Sequence, residues 1–306
     1  MATVNYAQQY SKALLQSFPY VLHFGALWNS PNKDIYKAVD ADTIKIPHIT
    51  TNGRVDGDRD TIGGFTRNHD NEWITKQLRN HRTWETLIHP MDVQQTGGVM
   101  AIQNATKVYN QEQKFPEMDA YTISALYSDY ITSNADKVVK VDLTVDNILS
   151  EFDKLMEAMD EARVPQQGRI LYVTPHVKTL LKQAKDIQRI ISAEGGEKSV
   201  NRNISRIDEV MIEPAVPSEL MKTVYDFTKG WKVGASARQL HMLLIHPIAV
   251  LPCVNYTFAA LDEPSAKTKG KQLYFEESFE DMFALDYKMG AMAFIQEPDA
   301  TPEEGA

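Results

Sequence analysis

The clearest period-two pattern in the chain lies at residues 43–48, where polar and apolar side chains alternate around Ile44 and Ile46. Successive side chains of a strand point to opposite faces, so this alternation predicts a half-buried β-strand. The dipeptide Asn52-Gly53 follows it, and this pair is typical of hairpin turns. The strand is therefore expected to end there.

Three segments have apolar residues at the three- and four-residue spacing of a helix face. The first is predicted to begin at Pro116, with acidic side chains in the first turn where the helix dipole favours them, and to end at Asn134. The second is predicted over residues 144–162, with its first residue, a threonine, as the N-cap. The third begins at Pro175.

Residues 4–28 predict a further helix, interrupted at Pro19, and residues 195–206 predict a loop. Short strands are predicted at residues 169–174, 210–212, 241–245, 255–259, 272–275 and 291–295. Helices and strands are thus mixed without the repeating strand-helix order of a Rossmann or barrel fold. The predicted fold class is α+β.

Residues 54–91 are polar over an unusually long stretch, with six basic and six acidic side chains. Trp73, Trp84 and Ile88 are their main large apolar residues. So polar a segment cannot bury enough apolar surface to form a core of its own. We expect a projecting hairpin that lies on another surface.

The chain has 306 residues and a net charge of −9, which is unevenly distributed. Residues 274–306 contain nine acidic residues and one basic residue and so carry −8 of that charge. The charge argues against a dedicated nucleic-acid reader and against a basic membrane-surface helix, which both need clustered positive charge. Residues 276–286 are expected to face solvent or a neighbouring subunit, and residues 297–306 to form an acidic tail.

Cys253 is the only cysteine, so an internal disulfide is impossible. The N-terminus lacks the pattern of a signal peptide, and the longest apolar run, residues 242–254, is broken by two prolines. These patterns predict a soluble protein that is made inside the cell. The apolar surroundings of Cys253 predict an unreactive thiol, and His241 and His246 are expected to be partly buried.

The residues give little sign of catalytic or metal chemistry. Asp56, Asp58 and Asp60 alternate as in a calcium loop, but the sixth residue is Thr61 instead of glycine and the twelfth is Arg67 instead of glutamate. His69, His81 and His89 lack the close spacing of metal ligands. We predict no catalytic residue, metal or cofactor. A metal-dependent hydrolase that uses Asp56, Asp58 and His69 remains an alternative.

Four phrases resemble the major capsid proteins of tailed bacteriophages. Residues 116–121, PEMDAY, are similar to the opening of the long spine helix of that family, and residues 169–181 to its RxLYV(S/T)P strand and the helix after it. Residues 207–217 are similar to a later strand ending in VP, and residues 242–250 to an element ending in AV. They occur in the order found in the family.

The resemblance implies the coat-protein fold named after phage Hong Kong 97. In this fold an extended loop lies across a neighbouring subunit, and the independently predicted hairpin falls where that loop belongs. The implied regions are an N-terminal arm (1–41), an extended loop (42–98), a peripheral domain with the spine helix (99–139), an axial domain (140–250), return strands of the axial and peripheral domains (251–296) and an acidic tail (297–306).

The implied function is assembly into hexamers and pentamers of an icosahedral shell around double-stranded DNA, with no enzymatic activity. The candidate interface residues in the loop are Arg54, Asp56, Asp58, Arg59, Arg67, Trp73, Lys76, Arg79, Arg82 and Trp84. Their charges would determine which partner binds and in what register, and the two tryptophans would serve as apolar anchors. Packing of Trp73 and Trp84 within their own subunit is the alternative.

The implied location is the virion capsid, assembled in the host cytoplasm. The implied partners are other copies of the chain, a separate scaffolding protein, a portal protein, a decoration protein and non-specifically contacted DNA, but no membrane. No long charged extension precedes the arm, which argues against a fused scaffold. Encapsulin-like compartments share the fold and are a second alternative, although their extended loop is usually shorter than the one predicted for this chain.

Overall fold

The computed structural model describes residues 20–54, 56, 67–98, 101–184 and 204–299. The predicted helix at 4–28, the loop at 195–206 and the acidic tail therefore lie wholly or largely outside the described residues. Asp58 and Arg59 also lie outside them. The helices are α1 (Gly25–Trp28), α2 (Pro90–Gln95), α3 (Ile102–Tyr109), α4 (Phe115–Asn134), α5 (Ile148–Glu161) and α6 (Pro175–Gln183).

The strands range from two to thirteen residues in length. They are β1 (Lys37–Ala38), β2 (Thr43–Thr51), β3 (His69–Gln77), β4 (His81–Ile88), β5 (Val139–Lys140), β6 (Ile170–Val173), β7 (Arg206–Ile207), β8 (Val210–Ile212), β9 (Tyr225–Asp226), β10 (Lys232–Val233), β11 (Leu240–Ile245), β12 (Val250–Asp262), β13 (Gln272–Ala284) and β14 (Met292–Gln296). The α+β class is confirmed.

A mixed six-stranded sheet in the order β5-β14-β11-β6-β8-β7 forms the centre of the described chain. Its inner strands are buried on both faces, which explains why they are nearly continuous apolar runs in the sequence. Tyr172 and Leu243 point to the face covered by α4, whereas Leu171 and Leu244 point to the face covered by α5 and α6. The sheet is therefore the middle layer of a three-layer arrangement.

The long helix ends at Asn134, as the sequence predicts, but helical backbone begins well before the predicted start at Pro116. α3 continues through a π-helical turn, Asn110–Lys114, into α4, so helical backbone extends from residue 102 to residue 134, about 50 Å. Pro116 has no N–H to give the carbonyl group four residues earlier, and a π-turn at this point accommodates that loss. α4 buries residues on most of its circumference, which confirms a helix covered on more than one side.

α5 begins at Ile148, and residues 144–147 form the turn that precedes it. The Thr144 backbone N–H donates to Asn147 Oδ1 at 2.7 Å, and the Asn147 N–H donates to Thr144 Oγ1 at 3.3 Å. This reciprocal pair is the capping-box pattern of a helix start, and the Ile148 N–H donates to the Thr144 carbonyl at 3.2 Å. Thr144 therefore caps the turn that leads into α5, as predicted, although regular α-helix begins only at Ile148.

The second large sheet, in the order β12-β13-β4, is called the outer sheet below. Two of its strands, β12 and β13, have thirteen residues each and pair along their whole length, far beyond the predicted 255–259 and 272–275. Its inner face packs on the long helical segment, where Trp84 stacks on Tyr109 of α3 at 3.9 Å between ring centroids. Residues 81–88 therefore belong to this sheet and not to a hairpin spanning the whole of residues 54–91.

Candidate subunit interface

β2 and β3 form an antiparallel ribbon, which the short strand β1 joins at its base and whose base packs on the body of the subunit. Ile44 and Ile46 of β2 and Ile74 of β3 contact a small apolar cluster that includes Leu251 and Phe283. Beyond this base, most ribbon side chains are exposed on both faces. Two strands without a buried face are at best marginally stable in water, so the outer half of the ribbon needs a surface to lie on.

One face of the ribbon carries an exposed apolar patch. Pro47 pairs with Trp73 across the two strands, and Ile49 is two residues further along the same face. The exposed fraction is 51% for Trp73 and 66% for Ile49. These three residues are called the ribbon patch below.

The outer sheet has an open face of larger size on the side away from α4. The strand register places on one face the side chains of Leu87, Tyr256, Phe258, Leu273, Phe275 and Phe279. Phe258 and Phe275 lie 6.2 Å apart between ring centroids, and Phe258 is 45% exposed. These six residues are called the open sheet face. Contiguous exposed apolar side chains of this kind mark interaction surfaces in soluble proteins.

Three of the predicted interface residues lie free of the subunit body. Arg54 and Asp56 are exposed at the outer end of the ribbon. Arg67 is also exposed, and its guanidinium bonds to the carbonyl of His69 and to Asn71 Oδ1 within the ribbon itself. The structure therefore leaves these charges, together with Trp73, available to another molecule.

The other four predicted residues are held by contacts within the subunit. Lys76 Nζ lies 3.0 Å from Asp286 Oδ2, and Arg82 Nε lies 2.6 Å from Glu117 Oε1. Trp84 faces α3 in the stack with Tyr109, so it takes the within-subunit packing that was the alternative to an interface anchor. Arg79 is part of a network around Asp281 and is described next.

Asp281 is the centre of this network, called the Asp281 hub. It is fully buried, and its Oδ2 accepts hydrogen bonds from the Arg79 backbone N–H at 2.8 Å and from Arg79 Nε at 3.1 Å. Oδ1 accepts from Tyr121 O–H at 2.9 Å and from the Met282 N–H at 2.7 Å. Arg79 also donates to Asp129 of α4 at 2.8 Å. The hub joins the link after β3 to β13 and to the long helix.

The hub corrects the expectation that residues 276–286 face solvent or a neighbour. Glu280 is 8% exposed and Asp281 is fully buried, while Glu276 and Glu277 form ion pairs with Lys114 and His81. Burial, followed by the charge of Asp281, raises the pKa of Tyr121, so its hydroxyl stays a donor. Much of this local acidity therefore balances cations of the same subunit.

A second buried aspartate ties the first described residues to the long helix. Asp119 of α4 is fully buried and accepts hydrogen bonds from Tyr20 O–H at 2.5 Å, His23 N–H at 2.9 Å and Phe24 N–H at 3.0 Å. Burial raises the pKa of Asp119, and these three hydrogen bonds oppose that rise. The carboxylate thereby fixes the point where the N-terminal segment meets the body.

Replacing Asp119 by alanine is expected to lower the free energy of unfolding by about 2 kcal/mol or more, because two buried backbone N–H groups lose their acceptor. Urea unfolding measures the loss, and hydrogen exchange at His23 and Phe24 should become faster. Asp136→Ala removes an exposed aspartate just beyond the same helix and serves as the control. Unchanged exchange at residues 23 and 24 would contradict the role given to Asp119.

The alternative of a metal-dependent hydrolase rests on Asp56, Asp58 and His69, and Asp58 lies outside the described residues. His69 is exposed, and no group of three His, Cys, Asp or Glu side chains among the described residues is arranged to hold a metal ion. Cys253 is buried as predicted, and burial raises the pKa of its thiol. His246 is also buried, bonded to the carbonyl of Gln167 and to the Ile248 N–H. None of the described helices is long and apolar enough to cross a membrane.

No protein-family model and no curated protein sequence matches this chain. Its fold, however, matches solved capsid structures over nearly its whole length. The mature capsid of bacteriophage PhiM1 aligns with a TM-score of 0.63 at 12% identity, covering 94% of this chain and 90% of that chain. The capsid of cyanophage P-SCSP1u aligns with a TM-score of 0.62 at 10% identity, covering 93% and 90%.

The capsid of a native GTA particle aligns with a TM-score of 0.50 at 11% identity, covering 93% of this chain and 94% of that chain. At sequence identities this low, the matches support a shared fold and nothing further. The chain has the Hong Kong 97-type capsid fold, which confirms the fold predicted from the resemblance.

Proposed function

We propose that this chain is a major capsid protein that assembles with copies of itself into hexamers and pentamers of an icosahedral shell around double-stranded DNA. The observation that carries the proposal is the end-to-end match to capsid chains, which leaves no large part of either chain unmatched. More than nine tenths of the chain takes part in this match. The proposed role is therefore structural.

The two exposed apolar surfaces support this proposal, because a shell subunit needs complementary surfaces on different sides. In the proposed assembly the ribbon patch of one copy packs on the open sheet face of a neighbour. Trp73 supplies a flat apolar side chain, and Leu87, Leu273 and Phe275 border a hollow on the open sheet face suited to receive one. Aromatic residues of this kind concentrate binding energy at interfaces.

The proposed regions follow the order predicted from the sequence, with one change. Residues 42–80 supply the extended loop, while β4 belongs with the return strands in the peripheral region. The six-stranded sheet with α5 and α6 forms the axial region, and α4 is the spine helix. Among the predicted interface residues we retain Arg54, Asp56, Asp58, Arg59, Arg67 and Trp73 as candidates for contact with a neighbour.

The proposed partners beyond the chain itself are a separate scaffolding protein, a portal protein, a decoration protein and the packaged DNA, contacted without sequence preference. The proposed place of assembly is the host cytoplasm, and the final location is the virion. The fold is shared with encapsulin-like compartments. Nuclease-protected DNA inside particles purified from host cells would separate a DNA coat from such a compartment.

Sedimentation and negative-stain imaging of the expressed chain test the proposal. We expect closed particles of uniform diameter above a critical protein concentration, since shell assembly is cooperative. Only monomers or small oligomers at every concentration and salt, even after a scaffolding protein is supplied, would contradict it.

A further inference from the structure

A cavity of about 170 Å³ lies between the inner face of the outer sheet and the long helix. Glu276 and Glu280 of β13, Trp84 of β4, Lys114 of the π-turn and Glu117 of α4 line it. A molecule of liquid water occupies about 30 Å³, so the space suits about five waters or one charged head group with fewer waters. This space is called the Glu280 cavity.

Two of the carboxylates in the cavity already have cationic partners. Glu276 Oε1 lies 3.0 Å from Lys114 Nζ, and its Oε2 accepts a hydrogen bond from Tyr274 O–H at 2.8 Å. Glu117 pairs with Arg82 at 2.6 Å. Arg82 and Lys114 therefore balance Glu117 and Glu276, and the charge of Glu280 is left over.

Glu280 is more than nine-tenths buried, with 8% of its surface exposed, and its side chain lines the cavity. Among the described residues, no side chain or backbone group forms a hydrogen bond or ion pair with its carboxyl group. A carboxyl group so deeply buried, with no donor from the protein, contacts only the little water that reaches it through the cavity, and this incomplete solvation is costly for its charge. A cation that enters the cavity would supply the donor that the described residues do not.

We propose that the Glu280 cavity binds one organic cation, the guanidinium group of an arginine or the ammonium group of a lysine or an alkylamine. A charge-assisted hydrogen bond to Glu280 would satisfy its carboxylate, and the rings of Trp84 and Tyr109 in the wall favour a cation nearby. The described residues provide no three-ligand set for a metal ion, which favours an organic head group. The proposal does not depend on shell assembly.

Two sources can supply this chemistry, either a basic side chain of a neighbouring copy or a free alkylamine. Arg54 and Arg67 are exposed on the ribbon and show that the chain carries suitable groups. Comparing free subunits with assembled particles separates the two sources. A cavity filled by a neighbour is blocked in particles, whereas a cavity that takes free amines stays accessible.

The direct test is an NMR titration of the full chain, which contains four tryptophans and is labelled with ¹⁵N at those residues. N-acetylarginine methylamide is the probe, and the neutral citrulline compound of similar shape is its control. We expect the arginine probe to shift the Trp84 indole signal saturably. Glu280→Gln should weaken that binding roughly ten- to a hundredfold, the range expected for one hydrogen bond to a charged group. Glu85→Gln makes the same charge change at an exposed position of the outer sheet and should leave it unchanged.

Binding should also strengthen as pH rises. Burial raises the pKa of Glu280, Glu117 and Glu276 raise it further, and Lys114 and Arg82 oppose them. The neutral carboxyl group therefore persists above its usual pH range, and the cation binds better once that group loses its proton. Glu280→Gln should remove this pH dependence.

Binding to free subunits only would assign the cavity to a neighbour's side chain, and binding to both subunits and particles would assign it to free amines. The proposal is overturned if the arginine probe leaves the Trp84 signal unchanged, or if the citrulline compound binds equally well. It is also overturned if a folded Glu280→Gln variant binds as the wild type does. If that variant does not fold, the proposal is tested on the wild type by comparing the arginine probe with the citrulline compound and by the pH dependence of binding.

Discussion

Replacing Asp281 by alanine is expected to lower the free energy of unfolding by about 3 to 5 kcal/mol, the largest loss we predict for a single substitution. The change leaves the Arg79 guanidinium without its buried partner and removes the acceptor of the Tyr121 hydroxyl. It also leaves the backbone N–H groups of Arg79 and Met282 without an acceptor. Denaturant unfolding of assembly-free subunits, followed by circular dichroism, measures the loss.

Glu277→Ala provides the matched control on the same strand. Glu277 pairs with His81 at 2.6 Å, but that pair is partly exposed, with 46% of the His81 side chain accessible. Partly exposed pairs of this kind contribute about 1 kcal/mol or less. Similar losses for Glu277→Ala and Asp281→Ala would show that the hub does not stabilise the fold more than a surface ion pair does.

Replacing Trp73 by alanine is expected to raise the critical concentration for particle assembly by roughly thirtyfold, while the subunit itself loses about 1 kcal/mol or less. The large effect follows because an aromatic anchor at an interface contributes about 2 kcal/mol or more, and 1.4 kcal/mol is a tenfold change. The subunit changes little because Trp73 is 51% exposed and lies outside the apolar cluster at the ribbon base. Light scattering against protein concentration measures assembly, and denaturant unfolding measures subunit stability.

Met211→Ala is the control for this second prediction. Met211 lies on β8 of the six-stranded sheet and is 41% exposed, so the change removes a similar kind of exposed apolar surface away from the ribbon. It should leave the critical concentration within about a factor of three of wild type. A Trp73→Ala variant that assembles at the wild-type concentration would remove the ribbon patch from the proposed interface.

The elements that the sequence predicts well are those whose signals are local. β2 has apolar side chains at every second residue of its base, Ile44 and Ile46, because one face is buried and the other is not. α4 lies within one residue of its predicted bounds, but Pro116 follows a π-turn and does not start the helical backbone, which begins at residue 102. The resemblance to capsid proteins added the order of the regions, which periodicity alone does not provide.

The partners of strands are harder to predict, because pairing depends on residues far apart in the sequence. β4 has the same mixed composition as the ribbon, so residues 81–88 were expected to belong to it. The structure pairs β4 with β13 instead, almost two hundred residues later in the chain. β12 was predicted too short, as residues 255–259, because its buried first residues, 250–253, form a continuous apolar run that contains Pro252 and shows no alternation.

The residues of the candidate interface could be predicted only in part from the sequence, for a similar reason. Trp73 was identified because a tryptophan stands out in a polar segment. Asp281 and Glu280 were assigned to the surface, since nothing nearby in the sequence marks a buried acid. The partner of Asp281 is Arg79, 202 residues away. Asp281 and Arg79 meet only because β13 packs against the long helix and against the link before β4 in the folded chain.

The outer sheet ends on both sides in strands, β12 and β4, that have only one neighbour among the described residues. Unpaired backbone groups on such edges recruit other strands without regard to sequence, and the exposed rings beside them make this association stronger. In the proposed assembly, a newly synthesised subunit is therefore prone to aggregation until another strand or another chain covers these edges. Its yield as correct oligomer depends on how briefly it remains alone, so the rate of its capture matters as much as the strength of the final contact.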